Sequence, residues 1–246
     1  MVIQFLKHDA HIPNFELLPY KQPLVTLGKF FHHHPTPQPR SRALLVRWVW
    51  RGALNGAHRG DTVSTRNALE RIVSTNEERS VQLMLEMVKE SPKTMPEVED
   101  AFNYRFAASK LLALALIDLG PRDLESGAPI DLGALLNTSD RNMALPRVIA
   151  SIAGSHGGLV RSVANRLAHP QRAGIRRHLL EVTDPEILAS HGISEEARQA
   201  LRNGDAARFL SLRVAYLRPL FHRFFARHAR WEEPDRPSLS SLLIPD

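Results

Sequence analysis

Arginine is the residue type in this sequence whose number and spacing could do chemistry, because its fork of N–H donors binds phosphate and carboxylate groups. The chain of 246 residues carries a net charge of +6. From Arg161 to Arg230 there are 13 arginines against 6 acidic residues, so the positive charge is concentrated in the C-terminal part. A surface that contacts the phosphate backbone of nucleic acid has this composition. The alternatives are a solvated helix face with ion pairs four residues apart and a generally arginine-rich composition.

Eight arginines of the basic region are the candidate nucleic-acid contacts. Five of them surround two histidines in the middle of the region, and three lie along one face of the last predicted helix. The eight candidates are Arg161, Arg166, Arg172, Arg176, Arg177, Arg223, Arg227 and Arg230. If they contact DNA phosphates, binding weakens as the salt concentration rises.

Few other side chains point to catalysis. The absence of cysteine excludes disulfides, thiolate zinc sites and cysteine nucleophiles. His32, His33 and His34 are consecutive, so on a helix they point in different directions and cannot share one metal ion. Ser155 and His156 lie in a glycine turn that does not match the nucleophile elbow, and no phosphate loop, HExxH motif or dinucleotide fingerprint occurs. We therefore expect no metal and no cofactor.

The elements that position the arginines are predicted to be helices. Apolar residues recur three and four positions apart along most of the chain, and no segment shows the strict alternation of a half-buried strand. The last helix, 206–231, has the clearest pattern, with Leu210, Val214 and Leu217 on one face. The sequence predicts an all-α fold, in which a multi-helix body is followed by a basic C-terminal helical bundle.

Two domains are predicted, a helical body over 1–120 and a basic helical region over 121–246. A chain of this length allows one large or two modest domains. The boundary is soft and falls within 121–145, where the helical period is lost. After this break, apolar periodicity predicts two helices, over 145–153 and 159–168, separated by glycines.

Polar residues mark where several helices begin. Asn76, Ser194 and Asp205 each precede a periodic segment and are predicted N-caps. Thr183 and Glu186 have the spacing of a capping box. These residues accept or donate hydrogen bonds that the first turn of a helix cannot form internally.

One predicted helix contains two of the three tryptophans of the chain. Trp48 shares a face with Leu44 and is therefore predicted to lie in the core. Arg47 and Arg51 lie four residues apart on another face, and we expect them to face solvent or a partner.

The cellular location is predicted from features that the sequence lacks. No run of about 18 apolar residues occurs, so we expect no membrane partner. The first residues lack the basic start, apolar core and cleavage site of a signal peptide. Together with the absence of cysteine, this favours the cytoplasm.

Four segments carry a resemblance to a known family. LLPYKQPLVTLGKFFHHHP (17–35) and LLVRWVWRGALNGAHRGDTVSTRNALERI (44–72) resemble the central helical region of the GmrSD-type restriction family. SVANRLAHP (162–170) and FLSLRVAYLRPLFHRFF (209–225) resemble later segments of that family, and the order and spacing of all four agree. The resemblance covers most of the chain.

The resemblance implies a role in bacterial defence against modified phage DNA. Full-length members of the family use an N-terminal ParB/sulfiredoxin-like domain with a DGQQR motif to hydrolyse nucleotides, and many add a C-terminal HNH-type nuclease. No DGQQR motif occurs in this sequence. The helix predicted at Val2 also starts without a capping residue, so we expect the nucleotide-hydrolysing domain to be missing, through truncation or on a separate chain.

Three hypotheses for function remain open at this point. In the first, the chain is the non-catalytic helical portion of a GmrSD-like protein and supplies nucleic-acid contacts or structural support. In the second, it is a scaffold that docks a separate DGQQR-type chain. In the third, it is a degenerate HNH-type, metal-dependent endonuclease, for which His156 and Asn165 are the weak catalytic candidates. The sequence lacks the upstream histidine element of an HNH nuclease, so we expect no catalysis by the chain alone.

Overall fold

The computed structural model describes residues 1–60, 62–137, 145–151, 157–170 and 173–236. These residues form α-helices and short 3-10 helices, and their only β pairing is three isolated antiparallel bridges. The prediction of an all-α, multi-helix fold is confirmed. Among the described residues, no helix is both long enough and apolar enough to cross a membrane.

The chain divides into two compact units at positions that differ from the predicted boundary. Unit 1 contains residues 1–95 together with the chain from Phe225 onward, and unit 2 contains residues 96–224. The helix Ala107–Ile117 falls inside the predicted first domain but lies in unit 2, where it packs against the 3-10 helix at 163–165. The stretch in which the sequence loses its helical period therefore lies inside unit 2, because such a stretch can interrupt a core without ending it.

Unit 1 is built on a pair of packed helices, α3 and α5. Helix α1 packs against α2, and α2 packs against α4. Short 3-10 helices, Phe15–Leu17 and Ala57–Arg59, connect the α-helices. The α-helices of this part are α1 (Val2–His8), α2 (Gln22–His33), α3 (Pro39–Leu54), α4 (Thr62–Glu70) and α5 (Glu77–Glu86). The side chain of Asn76 accepts a hydrogen bond from the Arg79 amide and caps α5, as predicted.

Helix α3 carries the largest buried side chains of unit 1. Trp48 and Trp50 are each 1% exposed, which confirms the core position predicted for Trp48. The ring of His58 lies against Gly52, and its Nε2 is 3.0 Å from the carbonyl oxygen of Trp48. Because Gly52 has no Cβ, the imidazole can approach the helix backbone closely.

The prediction that Arg47 and Arg51 face solvent is wrong. Arg51 is 2% exposed and donates to the carbonyl oxygens of Ala229 at 2.7 Å and Arg230 at 2.6 Å. Both guanidinium groups also form ion pairs with Asp235. The sequence separation exceeds 170 residues in each case, so no local pattern could reveal these partners.

Unit 2 contains a mainly apolar helix, α6, and a core formed largely by the helices that follow. Its α-helices are α6 (Ala107–Ile117), α7 (Leu132–Leu136), α8 (Gly157–Val160), α9 (Ile175–Glu181), α10 (Pro185–Ser190), α11 (Glu195–Arg202) and α12 (Ala206–Ala229). Ser194 caps α11, and the side chain of Asp205 accepts from the Arg208 amide at the start of α12. The last residues of α12, from Phe225, belong to unit 1.

Two local predictions for unit 2 are wrong. The N-cap of α10 is Asp184, whose carboxylate accepts from the Glu186 amide, so Thr183 forms no capping box. The described residues 145–151 contain no helix, and in the second predicted segment only α8 and a 3-10 helix at 163–165 are helical. Here backbone pairing between distant segments overrides the helical periodicity.

Candidate nucleic-acid interface

Three short segments of unit 2, none of them part of an α-helix, lie side by side and carry the candidate site. Ala101 pairs with Ser162, and Arg147 pairs with Arg166, both as isolated antiparallel bridges. The Phe102 amide donates to the carbonyl oxygen of Arg161 at 2.8 Å. These contacts bring arginines from three separate parts of the chain together.

Asn165 holds two of the three segments in register. Its side-chain oxygen accepts from the Ile149 amide, and its side-chain nitrogen donates to the carbonyls of Ile149 and Val160, all at 2.8 Å. Its own carbonyl accepts from Val148 at 3.1 Å. Asn165 is 0% exposed, so its amide positions the backbone beside Arg166 and is not directed at solvent.

Arg213 of α12 supports the same segment from inside the unit. It is 0% exposed and donates to the carbonyl oxygens of Ala164, Arg166 and His191. Burial lowers the pKa of Arg213 to about 9. A guanidinium bonded to three carbonyls restrains the backbone that carries Arg166, because each bond constrains a different peptide group.

A cavity of about 620 Å³ opens beside these segments, and we call it the arginine cavity. Its lining contains three guanidinium groups and no carboxylate among the described residues. The side-chain oxygen of Asn103 accepts from the Arg105 amide at 3.0 Å, and this hydrogen bond constrains the backbone between the two residues. The cavity is lined by Phe102, Asn103, Arg105, Pro146, Arg147 and Arg166.

Arg166 is the buried member of the cavity lining, at 5% exposure. Its Nη1 donates to the Leu145 carbonyl at 2.8 Å, and its guanidinium lies 5.2 Å from the centre of the Phe102 ring. Its Nε is buried and has no hydrogen-bond partner among the described residues. Burial lowers the pKa of Arg166 to about 10, and the positive charge of Arg147 adds to this effect.

The other arginines of this surface also have no carboxylate partner within the described ranges. In the part of the chain that the structure describes, Arg105, Arg147 and Arg161 are exposed and form no ion pair. Of the acidic residues that precede the first segment, Glu97 and Glu99 pair with Arg218, and the Asp100 carboxylate accepts from the Glu97 amide at 2.9 Å. Excess positive charge at a concave surface attracts anions.

The remaining arginine candidates of unit 2 are scattered. Arg176 donates to the Leu201 carbonyl at 3.2 Å, and Arg177 pairs with Glu181 at 3.6 Å on the same helix. Arg223 is exposed on α12. Two predicted site residues, Arg172 and His156, lie outside the described residues.

Arg227 and Arg230, the last two arginine candidates, belong to unit 1. They line a different cavity, together with His11 and His228. The stripe predicted on one helix face is therefore divided between two units, because the chain changes unit within α12.

The buried histidines of unit 2, His169 and His191, form hydrogen bonds with backbone groups. His191 Nε2 is 2.7 Å from the Arg122 carbonyl oxygen, and burial lowers the pKa of His191 to about 4. His169 Nε2 accepts from the Leu124 amide at 3.2 Å. Among the described residues, no group of three His, Cys, Asp or Glu side chains could hold a metal ion.

Arg105 and Arg147 were not predicted from the sequence. Each is an isolated arginine in a stretch without helical period, and neither belongs to a charge cluster along the chain. Only the backbone pairing of distant segments brings them to Arg166. Pro146 favours an extended conformation of Leu145, the residue before it, and this is the one local signal of the geometry.

The comparisons with known proteins found no relative from which a function could be transferred. No protein-family model, no curated protein and no solved structure matches this chain.

Proposed function

We propose that this chain is the non-catalytic helical portion of a GmrSD-like restriction protein and contacts the phosphate backbone of DNA through unit 2. The observation that carries the proposal is the arginine cavity with its exposed neighbour Arg161. The family resemblance of the four sequence segments supports the same assignment. The proposed partner is a DGQQR-type domain or chain that hydrolyses nucleotides.

The proposal rests on the electrostatics of Arg166. Among the described residues this buried guanidinium has no carboxylate partner, and a carbonyl and an aromatic ring compensate its desolvated charge only in part. A phosphate oxygen supplied from solvent would accept from this guanidinium and lower that penalty. Arg105 and Arg147 can add charge-assisted contacts to the same phosphate or its neighbour.

The test is salt-dependent binding to a generic DNA duplex, measured by gel shift or fluorescence anisotropy. We expect log Kd to rise linearly with log salt concentration, with about one unit of slope for each phosphate neutralised. The substitutions Arg105→Gln, Arg147→Gln and Arg161→Gln should each weaken binding to every duplex sequence. Each should also reduce the salt slope by about one.

A matched control is Arg177→Gln, which removes an exposed arginine of the same unit that is already paired with Glu181. We expect this variant to bind DNA as the unmodified chain does. If the unmodified chain does not bind DNA at low salt, the DNA proposal fails and the scaffold hypothesis takes its place. If Arg177→Gln weakens binding as strongly as Arg147→Gln, the site is misassigned.

Nuclease activity is a separate hypothesis with its own requirement. It needs Mg²⁺-dependent nicking of duplex DNA that is abolished in His156→Ala. In the described structure the other candidate, Asn165, is completely buried and bonded to the backbone. The proposal therefore assigns binding and not chemistry to unit 2.

A further inference from the structure

A second cavity, of about 450 Å³, lies entirely within unit 1, and we call it the histidine–arginine cavity. Its lining combines four guanidinium groups and two imidazoles with a single carboxylate and a small apolar wall. The polar side chains are Asp9, His11, Arg42, Arg47, Arg227, His228 and Arg230, and the apolar wall is Pro39, Ala43 and Val46. No part of the proposed DNA-binding function uses this cavity.

Trp50 of α3 contacts both of the segments that carry the cavity histidines. Its indole ring stacks on the His228 ring, with centroids 4.6 Å apart and an interplanar angle of 17°. Its Nε1 donates to the carbonyl oxygen of Ala10 at 2.9 Å, directly before His11. The two imidazoles lie with their centroids 5.3 Å apart and their planes tilted by 51°.

Backbone strain is concentrated at the same place. Among the described residues, the only non-glycine residues with positive φ are His11, at 54°, and Arg230, at 47°. Both line the histidine–arginine cavity. Arg230 directly follows α12, at a position where helices usually have glycine because a side chain is disfavoured there. Strained residues that keep a bulky side chain cluster at functional sites.

Cations outnumber carboxylates in the cavity lining, although three of its four arginines form ion pairs. Asp9 pairs with Arg42, Glu233 pairs with both Arg47 and Arg230, and Asp235 pairs with Arg47. Burial lowers the pKa of His228 to about 3, and the positive charges of Arg227, His11 and Arg230 lower it further. The lining as a whole therefore favours an anion over a cation.

Arg47 supplies a buried donor to this lining. It is 9% exposed, and its Nε has no hydrogen-bond partner among the described residues. The cavity is several times larger than one phosphate group, so it has room for an organic group beside the anion. Pro39, Ala43 and Val46 form the wall that such a group would contact.

We infer that the histidine–arginine cavity binds a phosphate monoester with a small apolar or flat organic group. The phosphate lies against the side chains of His11, Arg227 and Arg230, where charge-assisted donors converge. The organic group packs on Val46 and its neighbours. This assignment explains why a histidine and an arginine occupy two backbone positions that glycine would occupy without strain.

Isothermal titration calorimetry with phenyl phosphate and inorganic phosphate tests the assignment on the full chain. We expect phenyl phosphate to bind at a one-to-one ratio and more tightly than inorganic phosphate. Val46→Ala should weaken the binding of phenyl phosphate and leave that of inorganic phosphate unchanged. If both ligands bind equally in the unmodified chain, the free phosphate ion and not a monoester is the ligand, and this inference is wrong.

The decisive variants are His11→Gly and Arg230→Gly, because each relieves strain while it removes a proposed ligand contact. We expect both to weaken phenyl phosphate binding by about tenfold or more, the loss of one charge-assisted hydrogen bond. His11→Gly should also raise Tm, whereas in Arg230→Gly the relief of strain is offset by the loss of the contacts with Glu233 and the Arg227 carbonyl. Arg71→Gln removes an exposed arginine of the same unit that does not line the cavity, and it should change neither property. A rise in Tm without loss of phosphate binding would overturn the assignment.

Discussion

The guanidinium of Arg51 and the carboxylate of Asp235 form an ion pair across 184 positions of sequence within unit 1. The Arg51 side chain is 3% exposed and that of Asp235 is 22% exposed. Arg51 also donates to the carbonyls of Ala229 and Arg230, so one side chain holds the chain immediately after α12 against α3. The environment of this arginine on α3 is therefore formed by residues near the other end of the sequence.

We predict that Asp235→Ala destabilises unit 1 by about 2 to 3 kcal/mol, because it leaves two buried guanidinium groups with less compensation. The value lies below that for a fully buried pair, since Asp235 is partly exposed and Arg51 keeps its two carbonyl acceptors. Denaturant unfolding followed by tryptophan fluorescence measures this change, because all three tryptophans lie in unit 1.

Glu232→Ala is the matched control for this prediction. Glu232 is an exposed carboxylate in the same segment, and its removal should change the unfolding free energy by less than about 0.5 kcal/mol. Equal effects of the two variants would show that the net charge of the segment, and not the Arg51 contact, is what stabilises it.

Gly52→Ala should destabilise the protein, although alanine normally favours a helix interior over glycine. A Cβ at position 52 would lie 2.2 Å from His58 Nε2 and 2.3 Å from its Cε1, so the buried imidazole must move. We expect a loss of about 1 to 3 kcal/mol from this overpacking. Thermal unfolding monitored by tryptophan fluorescence reports it directly.

Gly28 of α2 provides the opposite case within the same unit. No heavy atom lies within 4 Å of a Cβ built at this position. Gly28→Ala should therefore stabilise unit 1 by about 0.5 to 1 kcal/mol, through helix propensity alone. Destabilisation by both substitutions would mean that His58 does not determine the effect at Gly52.

The stability of unit 1 should fall in mild acid because His58 is buried as the neutral imidazole. Burial lowers the pKa of His58 from 6.5 to about 4. The unfolded chain then binds more protons than the folded one below pH 6.5. The stabilisation is complete above pH 6.5 and is lost as the pH falls towards 4, by about 3 kcal/mol in total.

Urea unfolding at a series of pH values between 7 and 4 measures this dependence. His58→Gln keeps a hydrogen-bond donor near the Trp48 carbonyl but cannot be protonated, so the loss of stability over this interval should shrink. His228 contributes in the same direction, because burial also lowers its pKa, to about 3.

Asn165→Ala should loosen the segment that carries Arg166. The substitution leaves the amide and carbonyl of Ile149 and the carbonyl of Val160 without their side-chain partner. We expect unit 2 to lose about 2 to 4 kcal/mol, because these groups are buried. Hydrogen exchange at the amides of Val148 and Leu167, which bond across the same two segments, should accelerate.

Asn137→Ala is the control in unit 2, since Asn137 is exposed at the end of α7. It should not change exchange at those amides. Unchanged exchange in Asn165→Ala would contradict the positioning role and return Asn165 to the list of catalytic candidates.

Fold class and most helix positions were predictable because the signals are local. Apolar residues three and four apart predicted α3 and α12, and the N-caps Asn76, Ser194 and Asp205 are confirmed. The segment 145–168 was predicted as two helices, and there the local signal failed. Its periodicity is real, but Asn165 and the Arg147–Arg166 bridge bond the backbone to other segments instead.

The sequence alone determined that this protein is helical, that its basic residues are arginines, and that Trp48 is buried. These properties follow from side-chain type and spacing along a single element. Only the tertiary structure decided which arginines are available to an anion, because exposure and pairing depend on residues far away in the chain. Arg47 and Arg51 form ion pairs inside unit 1. Arg105 and Arg147, which no sequence pattern distinguishes, line a cavity together with Arg166.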